Sequence, residues 1–423
     1  MTSTPTTRQA LRPLRALRYD PSRVELADVV APPYDVISEA DREVLQARSD
    51  FSVVNLILPD SPRRAADLLH AWRRDGVLAR DAQPAVWWHR QRFVGPDGIE
   101  RTRSGFLSDV RLSPYDEGRI RPHEQTHSRV KADLLDLLRA TRTTLSPIFG
   151  FYDDSDDQAR QALEPGLSEA PAMLVTDSDG TEHAFWPVVA ERVVAAVQEA
   201  LAEREILIAD GHHRYETALA YHEEPGGQAA DHILMYLANV HGDGLAVYPT
   251  HRVVMGRREV TPDLLAAFDV RELEATPAEL EAELNEVPAE RIAFAVWRGP
   301  ERPALLCTLR DRGAVMMAMS GSPAALRKVD AAVLEAVILA PMLGLLHAPE
   351  QFLETDDVRY VRDRGAACAL VDSGDSAAAF ILRAPPLEQV MDVARAGALM
   401  PQKSTYFFPK LWSGFLLDPH EDA

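Results

Sequence analysis

The chain has 423 residues, of which 46% are apolar and 26% are charged, and its formal net charge is −20. This length is typical of two or three domains, and the acidic balance argues against nucleic acid and membranes as partners because both carry negative charge. The two cysteines form no Cys-x-x-Cys pair, and no run of about 18 apolar residues occurs. We therefore expect a cytoplasmic protein without a signal peptide or a membrane span.

The first hundred residues alternate between helical and extended patterns. Ala31–Val36 contains two prolines, which predict a rigid extended turn. Ser38 with Asp41 predicts a capping box and a helix to about Arg48, and Ser61 with Pro62 predicts the start of a second helix. We predict a strand over 52–58, a helix over 65–74, and a β-hairpin formed by 85–94 and 100–110.

Ile120–His127 contains the string His-Glu-Gln-Thr-His and precedes an amphipathic helix. The string matches H-E-x-x-H, in which two histidines bind zinc and the glutamate is the base. Charged neighbours and the preceding proline argue against the buried helix that such a zinc hydrolase needs. Glu124 is then either a general base near a phosphate site or a cap of the following helix, and the spacing favours neither.

Ile206–Leu219 predicts a buried strand, a tight loop and a helix start. A helix N-terminus offers unpaired backbone N–H groups to an anion, and the glycine permits a close backbone approach. Arginine adds a forked donor for phosphate oxygens, and the imidazoles add further hydrogen bonds. The loop therefore predicts phosphate binding through Asp210, Gly211, His212, His213 and Arg214.

Thr250, His251 and Arg252 follow a short predicted strand and form a second cluster of hydroxyl, imidazole and guanidinium groups. They fit a ligand site, or a strand-end turn with exposed polar groups, which the sequence favours slightly. Beyond about residue 255 the pattern changes, so we predict one domain over 1–255 and a second over 256–423. In the second we expect two short helices within 261–287, paired strands at 292–297 and 304–309, an apolar helix over 329–346, a strand over 380–382 and a helix over 387–394.

The segment from Met400 to Gly414 combines lysines with aromatic side chains. It fits a flap that closes over a nucleotide, with Lys403 and Lys410 on phosphates and a ring on the base. It fits equally a C-terminal strand that packs on the core with its lysines in water. The whole pattern of elements predicts a mixed α/β (α+β) fold.

Five motifs in order resemble the domain-of-unknown-function 1015 family over nearly the full chain. They are Ala31–Asp35, Arg121–Glu124, Ala209–Tyr215, Pro249–Arg252 and Lys403–Lys410. Pro122-His123-Glu124 and Asp210-Gly211-His212-His213-Arg214 are also similar to the free serine kinases of the ParB/sulfiredoxin-like superfamily. That resemblance implies a ParB/sulfiredoxin-like N-terminal core with a C-terminal α/β extension, in which Glu124 of the His123-Glu124 motif is the catalytic base and the Asp210–Arg214 loop holds nucleotide phosphates.

These observations lead to three hypotheses of function. The first is a kinase that transfers phosphate from ATP or ADP, with Mg²⁺, to a small alcohol such as free L-serine. The second is a regulatory protein that binds or hydrolyses a nucleotide and has no alcohol substrate. The third is the zinc hydrolase that uses His123 and His127.

Overall fold

The computed structural model describes residues 10–126, 128–225, 227, 230–345 and 356–420. Cα distances divide the chain into two compact units. The first unit comprises Met1–Pro122, Thr126–Ala246 and Pro409–Ala423, and the second comprises His123–Gln125 and Val247–Phe408. The sequence predicted a division by role at residue 255, between a catalytic or nucleotide-binding domain and a second domain. That division stays a prediction.

The strands are short except for one long hairpin. In chain order they are β1 Leu11–Arg12, β2 Leu17–Tyr19, β3 Leu78–Arg80, β4 Val86–Val94, β5 Glu100–Arg111, β6 Ile120–Arg121, β7 Thr143–Thr144, β8 Ile148–Tyr152, β9 Met173–Thr176, β10 Glu182–Val188, β11 Ile206–Asp210, β12 His232–Asn239, β13 Ala246–Tyr248, β14 His251–Met255, β15 Phe268–Leu273, β16 Ala293–Trp297, β17 Ala304–Leu309, β18 Val358–Val361, β19 Ser376–Ile381, β20 Tyr406–Phe408 and β21 Asp418–Pro419.

The helices range from one turn to four. They are α1 Leu26–Val29, α2 Glu39–Arg48, α3 Val54–Ile57, α4 Pro62–Arg74, α5 Ser128–Thr141, α6 Gln158–Leu163, α7 Glu191–Leu201, α8 His212–Glu223, α9 Leu280–Asn285, α10 Arg312–Ala318, α11 Asp330–Leu334, α12 Ala340–Leu343, α13 Arg364–Asp372 and α14 Leu387–Arg395. Short 3₁₀ turns and one π-helical turn, Glu335–Leu339, join them.

A mixed sheet forms the centre of the first unit, in the strand order β6-β11-β8-β12-β5-β4-β10-β9, with β1 beside β5. β6 with β11 and β8 with β12 are parallel pairs, and the hairpin β4–β5 is antiparallel. Apolar side chains of the sheet pack against α7 and α8 around Val197, Tyr215 and Met235, which are fully buried. The sheet thus fixes the place where β11 ends and α8 begins.

The sheet of the second unit is antiparallel in its resolved pairings, in the order β15-β17-β16-β19-β14-β18. Its core includes side chains of β14, β16 and β19 together with α9 and α13, among them Val253, Ala295 and Ala379. Each unit therefore has a hydrophobic core of its own.

Local sequence signals placed several elements correctly. Ser38 caps α2 in a complete capping box with Asp41. Ser61 accepts a hydrogen bond from the Arg64 backbone, and Pro62 occupies the first turn of α4. The hairpin, the strands at 292–297 and 304–309 and the helix over 387–394 are confirmed as β4–β5, β16–β17 and α14. The mixed α/β class is confirmed as well.

Two predicted elements were wrong. The strand expected over 52–58 is the short helix α3, in which Ile57 N donates to Val53 O. When an apolar run is buried on every side, its hydrophobic residues show no periodicity that would distinguish a strand from a helix. One of the two helices expected within 261–287 is the strand β15, whose exposed centre lies between buried Phe268 and Leu273 and pairs with β17.

Candidate functional site

The predicted phosphate loop lies where β11 leaves the sheet of the first unit. Asp210 is the last residue of β11, and α8 begins at His212. Gly211 adopts φ +97°, a left-handed conformation, and a Cβ there would lie 3.0 Å from Arg214 Nη2. A side chain at this position would be strained and would crowd the guanidinium. The strand, loop and helix start expected from the sequence are confirmed.

The Asp210 carboxylate bonds two cations. Its Oδ2 accepts from Arg214 Nη2 at 3.0 Å, and its Oδ1 accepts from Lys410 Nζ at 2.5 Å. The side chains of Asp210, Arg214 and Lys410 are only 16%, 11% and 12% exposed. Burial by itself raises the pKa of Asp210, but Lys410 and Arg214 lower it to about 2. The carboxylate is therefore ionised and the three charges form one cluster.

Arg214 keeps part of its hydrogen-bonding capacity unused. Its Nη1 donates to the carbonyl of Pro147, and its Nη2 donates to Asp210. Its Nε is buried and has no hydrogen-bond partner within the described part of the chain. A buried donor without a partner costs free energy, which an anionic ligand at this place would recover.

Asp35 joins this cluster, and the sequence did not single it out as a site residue. It lies on the 3₁₀ turn Tyr34–Val36, directly after the two prolines, and Ala31 pairs with Ser413 in an isolated bridge. Desolvation and the Asp210 charge raise the pKa of Asp35 above its ordinary value, although Lys410 and Arg214 act in the opposite direction. The double proline was the available signal, because it fixes the backbone just before the acid.

Arg103 is a second residue that sequence reasoning missed. It lies on β5, is 1% exposed, and donates to Gln91 Oε1 at 3.0 and 2.6 Å and to the Pro409 carbonyl at 2.7 Å. Its guanidinium also lies 4.7 Å from the centre of the Phe149 ring. Burial lowers the pKa of Arg103, and the nearby Asp210 charge raises it. Arg103 thus holds the residue that precedes Lys410.

The two histidines of the loop differ in burial. His212 is 5% exposed, and its charge interaction contributes to the low pKa of Asp210. His213 is half-buried at the next position of α8. In the following turn Glu216 accepts from Thr126 Oγ1 and Lys131 Nζ, both at 2.7 Å, which ties α8 to α5. The helix start is thereby held from the side of α5 as well as from the sheet.

His123 and Glu124 belong to the second unit, although the chain on both sides of them belongs to the first. The His123 carbonyl accepts from Met400 N at 2.7 Å, and Glu124 pairs with Met400 in a parallel bridge. His123 Nε2 lies 3.0 Å from Thr405 Oγ1. Glu124 lies outside α5, whose first turn contains no acid. The backbone bridge fixes the position of Glu124, and its role as a base or as a helix cap stays a prediction.

Thr250, His251 and Arg252 are buried, so the exposed strand-end turn favoured by the sequence was wrong. They are 4%, 4% and 0% exposed, and His251 and Arg252 begin β14. The reason is tertiary: β14 lies between β18 and β19 inside the second sheet. Arg252 donates to Glu335 Oε1 at 3.3 Å and to the carbonyls of Thr250 and Gln402.

Lys403 and Lys410 lie in different units and in different environments. Lys403 is exposed, adopts φ +53°, and has its Nζ 5.7 Å from the centre of the Tyr360 ring. Burial raises the pKa of Tyr360, the charges of Glu335 and Glu124 raise it further, and the charge of Arg252 acts in the opposite direction. In the second unit the structure therefore brings Glu124, Arg252 and Lys403 around one tyrosine. The pairing of Glu124 with the Asp210–Arg214 loop stays a prediction.

Within the described residues, no three histidine, cysteine or acidic side chains come together as a metal site. His127, which the zinc hypothesis requires, lies outside the described residues. No helix within those residues combines the length and apolar character that crossing a bilayer requires.

A family model described as "Protein of unknown function (DUF1015)" matches residues 11–332, about three quarters of the chain. The chain belongs to this family. The family resemblance identified from the sequence motifs is confirmed for residues 11–332, which contain four of the five motifs but not Lys403–Lys410. A search of curated proteins found no match.

Several solved structures are similar at low identity. A free serine kinase in complex with AMP is 14% identical, with 71% of this chain and 86% of that chain covered and a TM-score of 0.38. A conserved hypothetical protein from Pyrococcus furiosus is 15% identical, with 74% and 96% covered and a TM-score of 0.38. C-terminally truncated SbnI from Staphylococcus aureus is 11% identical, with 75% and 90% covered and a TM-score of 0.37. TM-scores below 0.5 at such identities transfer no activity to this chain, and the ParB/sulfiredoxin-like core stays a prediction.

Proposed function

We propose that this protein is a phosphotransferase that moves a phosphoryl group from a nucleotide to the hydroxyl of a small alcohol. The observation that carries the proposal is the buried Nε of Arg214, which has no hydrogen-bond partner among the described residues and lies at the start of α8, beside Lys410 and Asp210. A guanidinium, an ammonium and a helix N-terminus together are the groups that bind phosphate in proteins.

The charges of the cluster suit phosphates that arrive with a divalent cation. Asp35 and Asp210 offer carboxylate oxygens, the ligands that Mg²⁺ prefers, and Mg²⁺ neutralises phosphate charge when it is bound. Arg214 and Lys410 are then the groups that turn towards the phosphate oxygens. Arg103 holds the Pro409 carbonyl and so limits the positions that Lys410 can take.

We assign the removal of the alcohol proton to Glu124 because this residue belongs to the Pro122-His123-Glu124 motif. A carboxylate that accepts the proton of the alcohol makes the oxygen a better nucleophile, and positioning supplies most of the remaining rate in phosphoryl transfer. The Met400 bridge and the His123–Thr405 contact hold the Glu124 backbone in place. Free L-serine is the first acceptor to test, with ATP and ADP as donors.

The deciding experiment is mass spectrometry of O-phosphoserine made by purified protein with Mg²⁺, L-serine and either ATP or ADP. We expect product with the wild type, and about 10²- to 10⁴-fold less with Glu124→Gln, in keeping with the loss of a general base. Arg214→Ala should also abolish product. Full activity in Glu124→Gln would remove Glu124 from the role of base.

The same cluster also supports a second function, a nucleotide-binding or nucleotide-hydrolysing regulator. The feature that favours it is that the phosphate cluster lies entirely in the first unit and Glu124 in the second. In that case nucleotide binds, hydrolysis is slow, and added serine or other alcohols leave the rate unchanged. Measuring nucleotide turnover with and without serine separates the two functions.

A further inference from the structure

A large cleft in the first unit adjoins the phosphate cluster. Its volume is about 530 Å³, and its walls include Tyr34, Ile57, Leu134 and Leu137. A smaller cavity of about 60 Å³ shares these four side chains and is bordered by Arg214. Small-molecule sites in proteins typically measure about 300 to 1,000 Å³, so the cleft has the size of a ligand site.

Tyr34 connects the cleft with the ion cluster. Its side chain lines both cavities, whereas the next residue, Asp35, interacts with Asp210, Lys410 and Arg214. Burial raises the pKa of Tyr34, so its phenol is neutral at physiological pH. One short turn therefore presents an aromatic ring to the cleft and a carboxylate to the cluster.

The walls and the rim of the cleft differ in chemistry. The walls are apolar, whereas the rim carries the acids Glu39, Asp60, Asp133 and Asp136. Arg42 bonds Asp60 at 2.7 Å and lies 3.7 Å from Glu39, but Asp133 has no ion pair within the described part of the chain. Apolar walls accept a flat heterocycle, and carboxylates accept hydrogen bonds from sugar hydroxyls. An acidic rim also repels an anion, so the charged end of a ligand belongs at Arg214.

We propose that this cleft binds the nucleoside part of the nucleotide, with the base between Tyr34 and the apolar face of α5 and the ribose at the acidic rim. The proposal rests on the nucleotide binding proposed above. It assigns base recognition to α5 and the Tyr34 turn, and phosphate recognition to Arg214 and Lys410. All of these residues belong to the first unit.

The test compares two tryptophan substitutions on α5. Leu134→Trp fills the cleft, and Ala132→Trp adds the same side chain at an exposed position that does not line it. Calorimetry with ADP and with inorganic pyrophosphate then separates the two parts of the site. We expect Leu134→Trp to weaken ADP binding about tenfold or more while pyrophosphate binding stays unchanged, and Ala132→Trp to change neither.

Other results would overturn the assignment. Unchanged ADP binding in Leu134→Trp would place the base elsewhere and leave the proposed function intact, and equal losses for ADP and pyrophosphate would show a general disturbance. A wild type that binds neither ligand would remove the proposed function together with this inference. If Leu134→Trp does not fold by circular dichroism, photolabelling of the wild type with 8-azido-ADP decides. We expect labelled peptides from the Tyr34 turn or α5, and labels confined to other segments would contradict the proposal.

Discussion

The Asp210 cluster of the first unit and the Arg252–Glu335 pair of the second use the same kinds of side chain with opposite results. Burial by itself raises the pKa of both carboxyl groups. Asp210 has two cations within 3.0 Å, and its pKa falls to about 2. Glu335 has one guanidinium at 3.3 Å, and its pKa rises to about 7. The number and distance of the cations, more than burial, decide which carboxylate stays charged.

The Asp210 cluster has the features of a ligand site, whereas the Arg252–Glu335 ion pair stabilises the fold. Among the described residues Arg214 Nε has no hydrogen-bond partner, and Arg214 lies at a helix start, so this cluster suits the anion site proposed above. Arg252 is 0% exposed and also bonds two backbone carbonyls, so its donors are committed to the protein.

The largest effect is expected from Arg214→Ala. Loss of the forked donor should weaken ADP binding about 100-fold or more, because hydrogen bonds to charged groups are among the strongest in proteins. Calorimetry measures the effect. Arg63→Ala is a matched control, since Arg63 and Asp67 form an i, i+4 ion pair like that of Asp210 and Arg214, but on the surface. If Arg214→Ala and Arg63→Ala bound ADP with equal affinity, Arg214 would be excluded from the proposed phosphate site.

The next largest effect on ADP affinity is expected from Lys410, and Lys403 is its matched control. Lys410→Met removes a cation that is 12% exposed and bonded to Asp210, and we expect ADP affinity to fall about tenfold. Lys403→Met removes an exposed cation of the second unit, and we expect a change of about twofold because solvent screens it. A larger loss in Lys403→Met would assign the phosphates to the second unit.

The last prediction concerns folding stability and not ligand binding: it is a pH dependence of stability in the second unit. Because burial raises the pKa of Glu335 from its ordinary value of 4.5 to about 7 in the folded protein, the unfolded chain releases this proton first as pH rises. The wild type should therefore lose about 2 to 3 kcal/mol of unfolding free energy relative to Glu335→Gln between pH 4.5 and 7, and little more above pH 7. Urea denaturation of both proteins across this range measures the slope. A constant difference would show that folding does not raise the pKa of Glu335.

The sequence predicted the elements whose signals are local. The capping box of α2, the Ser61-Pro62 start of α4 and the Asp-Gly break after β11 each depend on a few neighbouring residues, and the structure confirms them. α3 and β15 were missed because the burial that selects their conformation comes from distant parts of the chain. The family was also identified correctly, because its motifs are ordered along the chain.

The sequence by itself determined the strand, loop and helix start at Asp210–Arg214, because a glycine, two histidines and an arginine at such a junction form a local pattern. Only the tertiary structure decided that Asp35, Arg103 and Lys410 join Asp210 and Arg214. These five residues come from four segments that lie far apart in sequence, and backbone pairs such as Ala31 with Ser413 bring two of the segments together. Long-range pairing and burial set which charges meet, and neither is encoded in the spacing of residues along the chain.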